Sequence, residues 1–264
     1  MNFRIKSILK KNRHLVLSVH VSRVLSRALY SQFRLNFIQA FSHLTTFIRD
    51  YREFKKSSAN PNFDFSASFL YPCLKDKTSS TPLEPTYFYQ DTWAAQKIFQ
   101  LKPSQHYDVG SSATSIGIIS QFVPITMVDI RPVELKLNNL FFKAGSILDL
   151  PFGDNTIESL SSLCVVEHIG LARYGDPIDP WGAEKAIKEL TRVLKKSGDL
   201  LISLPIDSAN RVYFNAHRSF TRQYVLELFC GMELLEEKYI YGKELTQSYD
   251  SAKGFGTGLF HFRK

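Results

Sequence analysis

"HYDVGSSATSIG", residues 106–117, decides how the rest of the chain is read. An apolar strand ends at Asp108-Val109-Gly110, and the chain then bends through Ser111, Ser112 and Thr114 into a stretch of helical character. A strand that meets a helix across such a turn is the opening unit of a doubly wound sheet, where ligands sit at the carboxyl ends of the strands. The next strand, "ITMVDI", carries Asp129, 21 positions after Asp108. At that spacing a carboxylate reaches both hydroxyls of a ribose. Asp108, Gly110 and Asp129 together therefore point to a nucleoside-type cofactor. Dinucleotide sites crowd glycines into this turn because a pyrophosphate must lie against backbone amides. Here Ser111 and Ser112 stand instead, with hydroxyls suited to an ammonium or carboxylate, so S-adenosylmethionine fits better than NAD.

Outward from this turn, strands and helices keep alternating. Strands are expected at 105–109, 125–130, 140–144, 159–166 and 199–204, and helices at 86–101, 113–122 and 183–195. "FTRQYVLELF" reads as a further helix, and "MELLEEKYIYG" and "GTGLFHFRK" as a closing antiparallel pair. The fold class is α/β: a doubly wound, mostly parallel, seven-stranded Rossmann-like sheet with an antiparallel last strand. It occupies residues 86–264. Residues 57–85 contain four prolines and many small polar residues and read as a connector.

Residues 1–56 form a third region, a basic amphipathic helical segment. They hold twelve Lys or Arg against Asp50 and Glu53, a net +10, while the other 208 residues carry a net −2. Val21, Val24, Leu25, Ala28 and Leu29 recur at helical intervals with Arg23, Arg27 and Arg34 between them. The apolar run 15–21 is far short of the ~20 residues a bilayer span needs, and no small-residue cleavage site follows. Neither a transmembrane span nor a signal peptide is expected. Such a segment suits a membrane surface, a sister subunit or the core of its own domain. Three scattered cysteines, Cys73, Cys164 and Cys230, offer no disulfide framework and no paired-cysteine zinc site. No metal is expected, and the location expected is cytoplasmic or peripheral at the inner membrane face.

"YDVGSS", "VDIRP", "AGSILDLPFGDNTIESLSSLCVVEHIG" and "ELTRVLKKSGDLLISLP", in that order, make residues 86–264 resemble the class I S-adenosylmethionine-dependent methyltransferases. Within that family the chain looks most like a bacterial methyltransferase-like branch of unknown function that accompanies cell-surface glycan synthesis. The resemblance implies that Gly110 and its neighbours line the methionine portion, that Asp129 binds the ribose, and that Ser146, Ile147 and Leu148 flank the adenine. Ile130 and Val166 join the same cofactor set. Two departures stand out: the family's later glycines are absent, and Ser146 replaces an aspartate that usually accepts from the adenine amino group.

The methyl acceptor is expected beside "CVVEHIGLARYGDPIDPWG", the densest polar cluster of the core. Methyl transfer to a hydroxyl is an in-line displacement that needs a base for the departing proton. His168 suits that task because its imidazole is neutral near pH 7. Asp176, or Glu167 acting on His168, is the reserve. Arg173 and Tyr174 from this loop, with Asn215, His217 and Arg218 from "RVYFNAHRSF", are expected to bind the acceptor, a small molecule or glycan made anionic by phosphate or carboxylate. Tyr87, Tyr89 and Trp93 are read chiefly as packing residues. The expected activity is O-methylation of a sugar or glycan precursor. Its alternatives are an RNA methyltransferase, disfavoured by the slightly acidic core so that nucleic acid is not an expected partner, and a non-catalytic module that docks a membrane or protein.

Overall fold

The structure, a computed structural model, describes residues 41–57, 60–65, 70–74, 76–131 and 133–264. The chain divides into two compact units, Met1–Pro82 and Leu83–Lys264. In the first, residues 41–56 are helical, and the described residues from 57 to 82 form neither helix nor strand. Phe65 lies against Tyr51 and Phe54, with ring centroids 5.6 and 5.0 Å apart. Asp50 accepts hydrogen bonds from Lys77 and Arg49 at 2.9 and 3.0 Å. The amphipathic pattern centred on Val21 to Leu29 lies outside the described residues.

The second unit begins with helix α1, Pro85–Leu101. Glu84 caps it by accepting the Tyr87 N–H, Pro85 fills a first-turn position that needs no donor, and Lys102 ends it in a left-handed conformation before Pro103. Then follow β1 His106–Val109, α2 Ala113–Ile119, β2 Ile125–Asp129, β3 Leu140–Ala144, β4 Ile157–Leu163, α3 Gly182–Val193 and β5 Leu194–Ile206. A hairpin, β6 Arg211–Tyr213 and β7 His217–Ser219, leads to α4 Arg222–Leu228. The chain closes with β8 Glu233–Tyr241, β9 Glu244–Thr246 and β10 Gly256–Arg263.

The sheet order is β3-β2-β1-β4-β5-β10-β8-β9, parallel from β3 to β5, with β10 antiparallel between β5 and β8. This is the expected Rossmann-like sheet with one strand more. Gly242, at φ +59, permits a two-residue turn after Tyr241, so the chain doubles back as β9 against β8. The strand expected to reach Val166 stops at Leu163, because Cys164 takes φ +53 and turns the chain into a single 3-10 turn at Val166–His168. Side chains of β5 alternate across the sheet. Leu200, Ile202 and Leu204 join a core with Ala186, Ile187 and Leu190 of α3, while Leu201 joins Trp93 and Ile98 of α1 and Ile116 and Ile119 of α2. Where the strand is buried on both faces, from Leu200 to Ile206, it reads LLISLPI, apolar but for Ser203.

Candidate functional site

Parallel strands bring the ends of β1, β2, β3 and β4 to one edge, and the sheet order reverses between β1 and β4. At that switch the chain must diverge to opposite faces, which opens a crevice. A cleft of about 490 Å³ lies there. Gly110, Asp129, Ile130, Ser146, Ile147, Leu148, His168, Tyr174 and Asp176, all singled out from the sequence, line it together. Gly110 adopts φ +74, and a Cβ on it would stand 2.9 Å from Val165 Cγ1. Only glycine fits the bend from β1.

The hydroxyls of the bend answer a different need from the one expected. Ser111 gives its N–H and its hydroxyl to the Asp108 carboxylate at 3.1 and 2.6 Å, and its oxygen accepts the Leu163 N–H at 3.0 Å. Ser161 donates at 2.5 Å to Asp108 Oδ2, the oxygen that also takes the Ser111 hydroxyl. His106 continues the column, with Nε2 2.9 Å from Ser161 Oγ and Nδ1 2.8 Å from Ser159 Oγ. Ser161 spends its proton on Asp108, so it accepts from Nε2–H, and Ser159 donates to Nδ1. All of these groups are buried. Burial pushes the Asp108 carboxyl up to about 6, against the lowering effect of its serine donors, and drives His106 down to about 3. Asp108 and Ser111 therefore tie β1 to β4, and neither is among the residues that line the cleft. Val166 is fully buried in the core and does not line the cleft either. Ser112 sits at the start of α2, where its side chain makes no capping bond.

Asp129 remains in the cleft. Its Oδ1 accepts the Arg131 backbone N–H at 2.8 Å, with the Arg131 guanidinium 3.4 Å away. Arg131, which the sequence reading passed over, then lies over the Tyr174 ring at 4.8 Å, and Arg173 lies over the same ring at 5.1 Å. Of these three, Arg131 and Tyr174 line the cleft. Ser146 Oγ accepts the Leu148 N–H at 3.2 Å, which shapes the turn after β3 and leaves its own proton free.

His168 faces the same space. Its Nδ1 is 2.6 Å from the Ala216 carbonyl oxygen, a contact that requires the proton on Nδ1 and leaves a lone pair on Nε2. Burial lowers its pKa to about 4, although the Ala216 bond works in the other direction. Glu167 lies behind it, with Oε1 3.8 Å from His168 Nε2. Among the described residues Oε2 has no hydrogen-bond partner, and burial raises the carboxyl to about 8. Near neutrality Glu167 is thus a neutral acid beside a neutral imidazole, and it is in that form that it stands next to His168. Burial likewise pushes the Cys164 thiol well up.

The remaining predicted groups divide. Asp176 accepts the N–H groups of Gly170 and Tyr174, at 2.6 and 3.3 Å, and so organises the loop that carries His168. Arg218 is buried, and its guanidinium donates to the carbonyls of Ile169, Asp179 and Pro180 at 2.5, 3.1 and 3.3 Å. These bonds pin the loop after β4 to the hairpin. Asn215, at φ +63, makes the hairpin turn, and His217 flanks Ala216. Trp93 packs in the core and donates to Glu236 at 2.8 Å, Tyr89 donates to the Lys243 carbonyl at 3.1 Å, and Tyr87 stays half exposed. Among the described residues no three His, Cys, Asp or Glu side chains converge on a metal position, and no helix is long and apolar enough to cross a membrane.

Residues 153–254 match a family described as "Caenorhabditis protein of unknown function, DUF268", a match to under half of the chain. No curated protein matches. Among solved structures, a protein assigned as a sarcosine dimethylglycine methyltransferase from Galdieria sulphuraria superposes with a TM-score of 0.51 at 18% identity, over 67% of this chain and 85% of its own. The [4+2]-cyclase SpnF gives 0.49 at 13% identity, over 65% and 81%. The N-methyltransferase NodS from Bradyrhizobium japonicum, in complex with S-adenosyl-L-homocysteine, gives 0.48 at 13%, over 69% and 88%. The first of these likenesses shows the fold, a Rossmann-like, mostly parallel α/β sheet with an antiparallel C-terminal strand.

Proposed function

We propose that the chain transfers the methyl group of S-adenosylmethionine to a hydroxyl of a sugar or glycan precursor. The observation that carries the reading is one cleft that presents Asp129 at the β2 end and the His168 Nε2 lone pair beside the β4 end. The donor set fits an adenosyl group. Asp129 offers a carboxylate to the ribose hydroxyls, Ile130, Ile147 and Leu148 offer apolar walls to the adenine, Ser146 offers a free hydroxyl proton, and Gly110 lets the backbone approach.

Bound there, S-adenosylmethionine supplies an electrophilic methyl on a sulfonium sulfur. The protein's part is to place the acceptor oxygen in line and to take its proton. Nδ1–H held on Ala216 fixes the ring and its tautomer, so Nε2 is the atom that receives the proton. The resulting imidazolium has the Ala216 carbonyl on one side and the Glu167 carboxyl on the other. The sugar acceptor and the glycan-associated branch rest on the sequence resemblance; contact of residues 1–56 with a membrane or a sister subunit rests on their charge and helical apolar spacing, and with these go a cytoplasmic or inner-membrane-peripheral location and a plan of 1–56, 57–85 and 86–264 as segment, connector and catalytic domain.

Calorimetric titration with S-adenosylhomocysteine tests the site. The parent chain should bind it and ignore NAD, Asp129→Ala should lose about tenfold or more in affinity, and His168→Ala should bind normally while turnover falls about 10²-fold or more. Binding of NAD in place of the adenosyl compound would overturn the assignment.

A further inference from the structure

The carboxyl edge of the sheet also gathers rings that the methyl-transfer site does not use. Gly256, the first residue of β10, pairs with Ile206, the last residue of β5, so the antiparallel strand delivers Phe255 to the edge where the β6–β7 hairpin emerges. The rings of Tyr213 and His217 lie 5.0 Å apart, and those of His217 and Phe255 5.6 Å apart. Phe255 is 50% exposed and Tyr213 41%. A contiguous exposed aromatic shelf costs hydration free energy, which a ligand recovers by covering it.

The shelf is joined to His168 through Ala216, the residue between hairpin turn and His217, whose carbonyl holds Nδ1–H. Arg173 Nη1 donates to the same carbonyl at 3.0 Å. Its charge reaches the shelf, for it reinforces burial in lowering the pKa of His217. Among the described residues no carboxylate forms a salt bridge with Arg173, whereas Arg211 is paired with Asp207 and Arg218 is spent on three carbonyls. Of the three arginines around the hairpin, Arg173 is the one with charge to offer.

We propose that Tyr213, His217 and Phe255, with Arg173, form an acceptor subsite for a phosphorylated sugar, its ring against the aromatic shelf and its phosphate on the guanidinium. The proposal rests on the methyl-transfer reading and narrows its acceptor. A guanidinium forks onto phosphate oxygens with charge-assisted hydrogen bonds. Aromatic bodies with polar tips, as in Tyr213 and His217, meet both the C–H face and the hydroxyl rim of a sugar. A hydroxyl of a ring seated there lies next to the residue that orients His168.

The test is calorimetry on the full chain, first with S-adenosylhomocysteine and then, at saturation, with glucose 1-phosphate, glucose, inorganic phosphate and phenyl phosphate. Glucose 1-phosphate should bind about tenfold or more tightly than either glucose or inorganic phosphate. Phe255→Ala and Tyr213→Ala, at exposed positions and with parental melting curves, should each weaken it about fivefold or more while leaving inorganic phosphate unchanged. Arg173→Gln should remove the advantage of the phosphorylated sugar over glucose. Absence of glucose 1-phosphate binding, a preference for phenyl phosphate, or indifference to Arg173→Gln overturns the subsite, even where S-adenosylhomocysteine binds. Loss of S-adenosylhomocysteine binding alone, with Arg173-dependent sugar phosphate binding intact, sinks the cofactor reading and upholds the subsite.

Discussion

Gly110 and Glu167 show how single positions set the limits of the site. At φ +74, an alanine in place of Gly110 pays for a left-handed backbone, about 1–2 kcal/mol, and meets Val165 Cγ1 at 2.9 Å. Gly110→Ala should lower stability in urea unfolding by that much or more, and Val165→Ala added to it should relieve the contact but not the backbone strain. Gly170 is stricter, since a Cβ there would stand 2.0 Å from the Asp179 backbone oxygen. Glu167 carries a pH signature. Its folded carboxyl is raised from 4.5 to about 8, so the folded state keeps a proton that the unfolded chain releases. The stability tied to that proton is fully present below about pH 4.5 and is lost as pH rises toward 8. The slope is on the order of 1 kcal/mol per pH unit at most. Glu167→Gln has no proton to lose, and unfolding measured from pH 5 to 8 should show the decline in the parent and a flatter line in the variant. Of these residues, Gly110 and Asp129 were legible from strand, turn and spacing. Ser111 was not, because its hydroxyl is claimed by Asp108 and by the Leu163 amide of a strand about fifty residues away.

At the scale of elements, the loop after β4 is ordered by partners from elsewhere. Asp176 folds it on itself, and Arg218 clamps it to the hairpin through three carbonyls. Arg218→Ala leaves those acceptors to the interior, at a cost of about 2–3 kcal/mol. Hydrogen exchange should quicken across 170–179, and turnover should fall with the loss of a fixed His168 even though Arg218 does not line the cleft. Arg218→Lys, with three donors on one nitrogen and no fork, should restore only part of the loss. Strands and helices of the sheet were legible because alternation of apolar residues at two-residue and near-four-residue intervals is a local property. The extra strand β9 was marked only by Gly242, and Phe255 by nothing, since its place depends on which strand β10 joins.

For the molecule as a whole, the division at Pro82 has a direct consequence. Residues 83–264 contain both buried clusters and every lining residue of the cleft. A chain beginning at residue 83 should melt cooperatively at the temperature of this unit in the full protein and bind S-adenosylhomocysteine with the same affinity. Failure of either would place part of the site's support in residues 1–82. Sequence alone determined the class of sheet, the strand that ends in Gly110, the carboxylate one strand over and the polar loop after β4, because periodicity, turn chemistry and spacing along the chain are short-range constraints. Only the tertiary structure decided which polar groups face the cleft and which are consumed in holding it: Ser111 on Asp108, Arg218 on three carbonyls, the His168 proton on Ala216. A buried donor or acceptor must find its partner, and whether that partner is a ligand or a backbone group far along the chain is settled by where the strands are laid side by side.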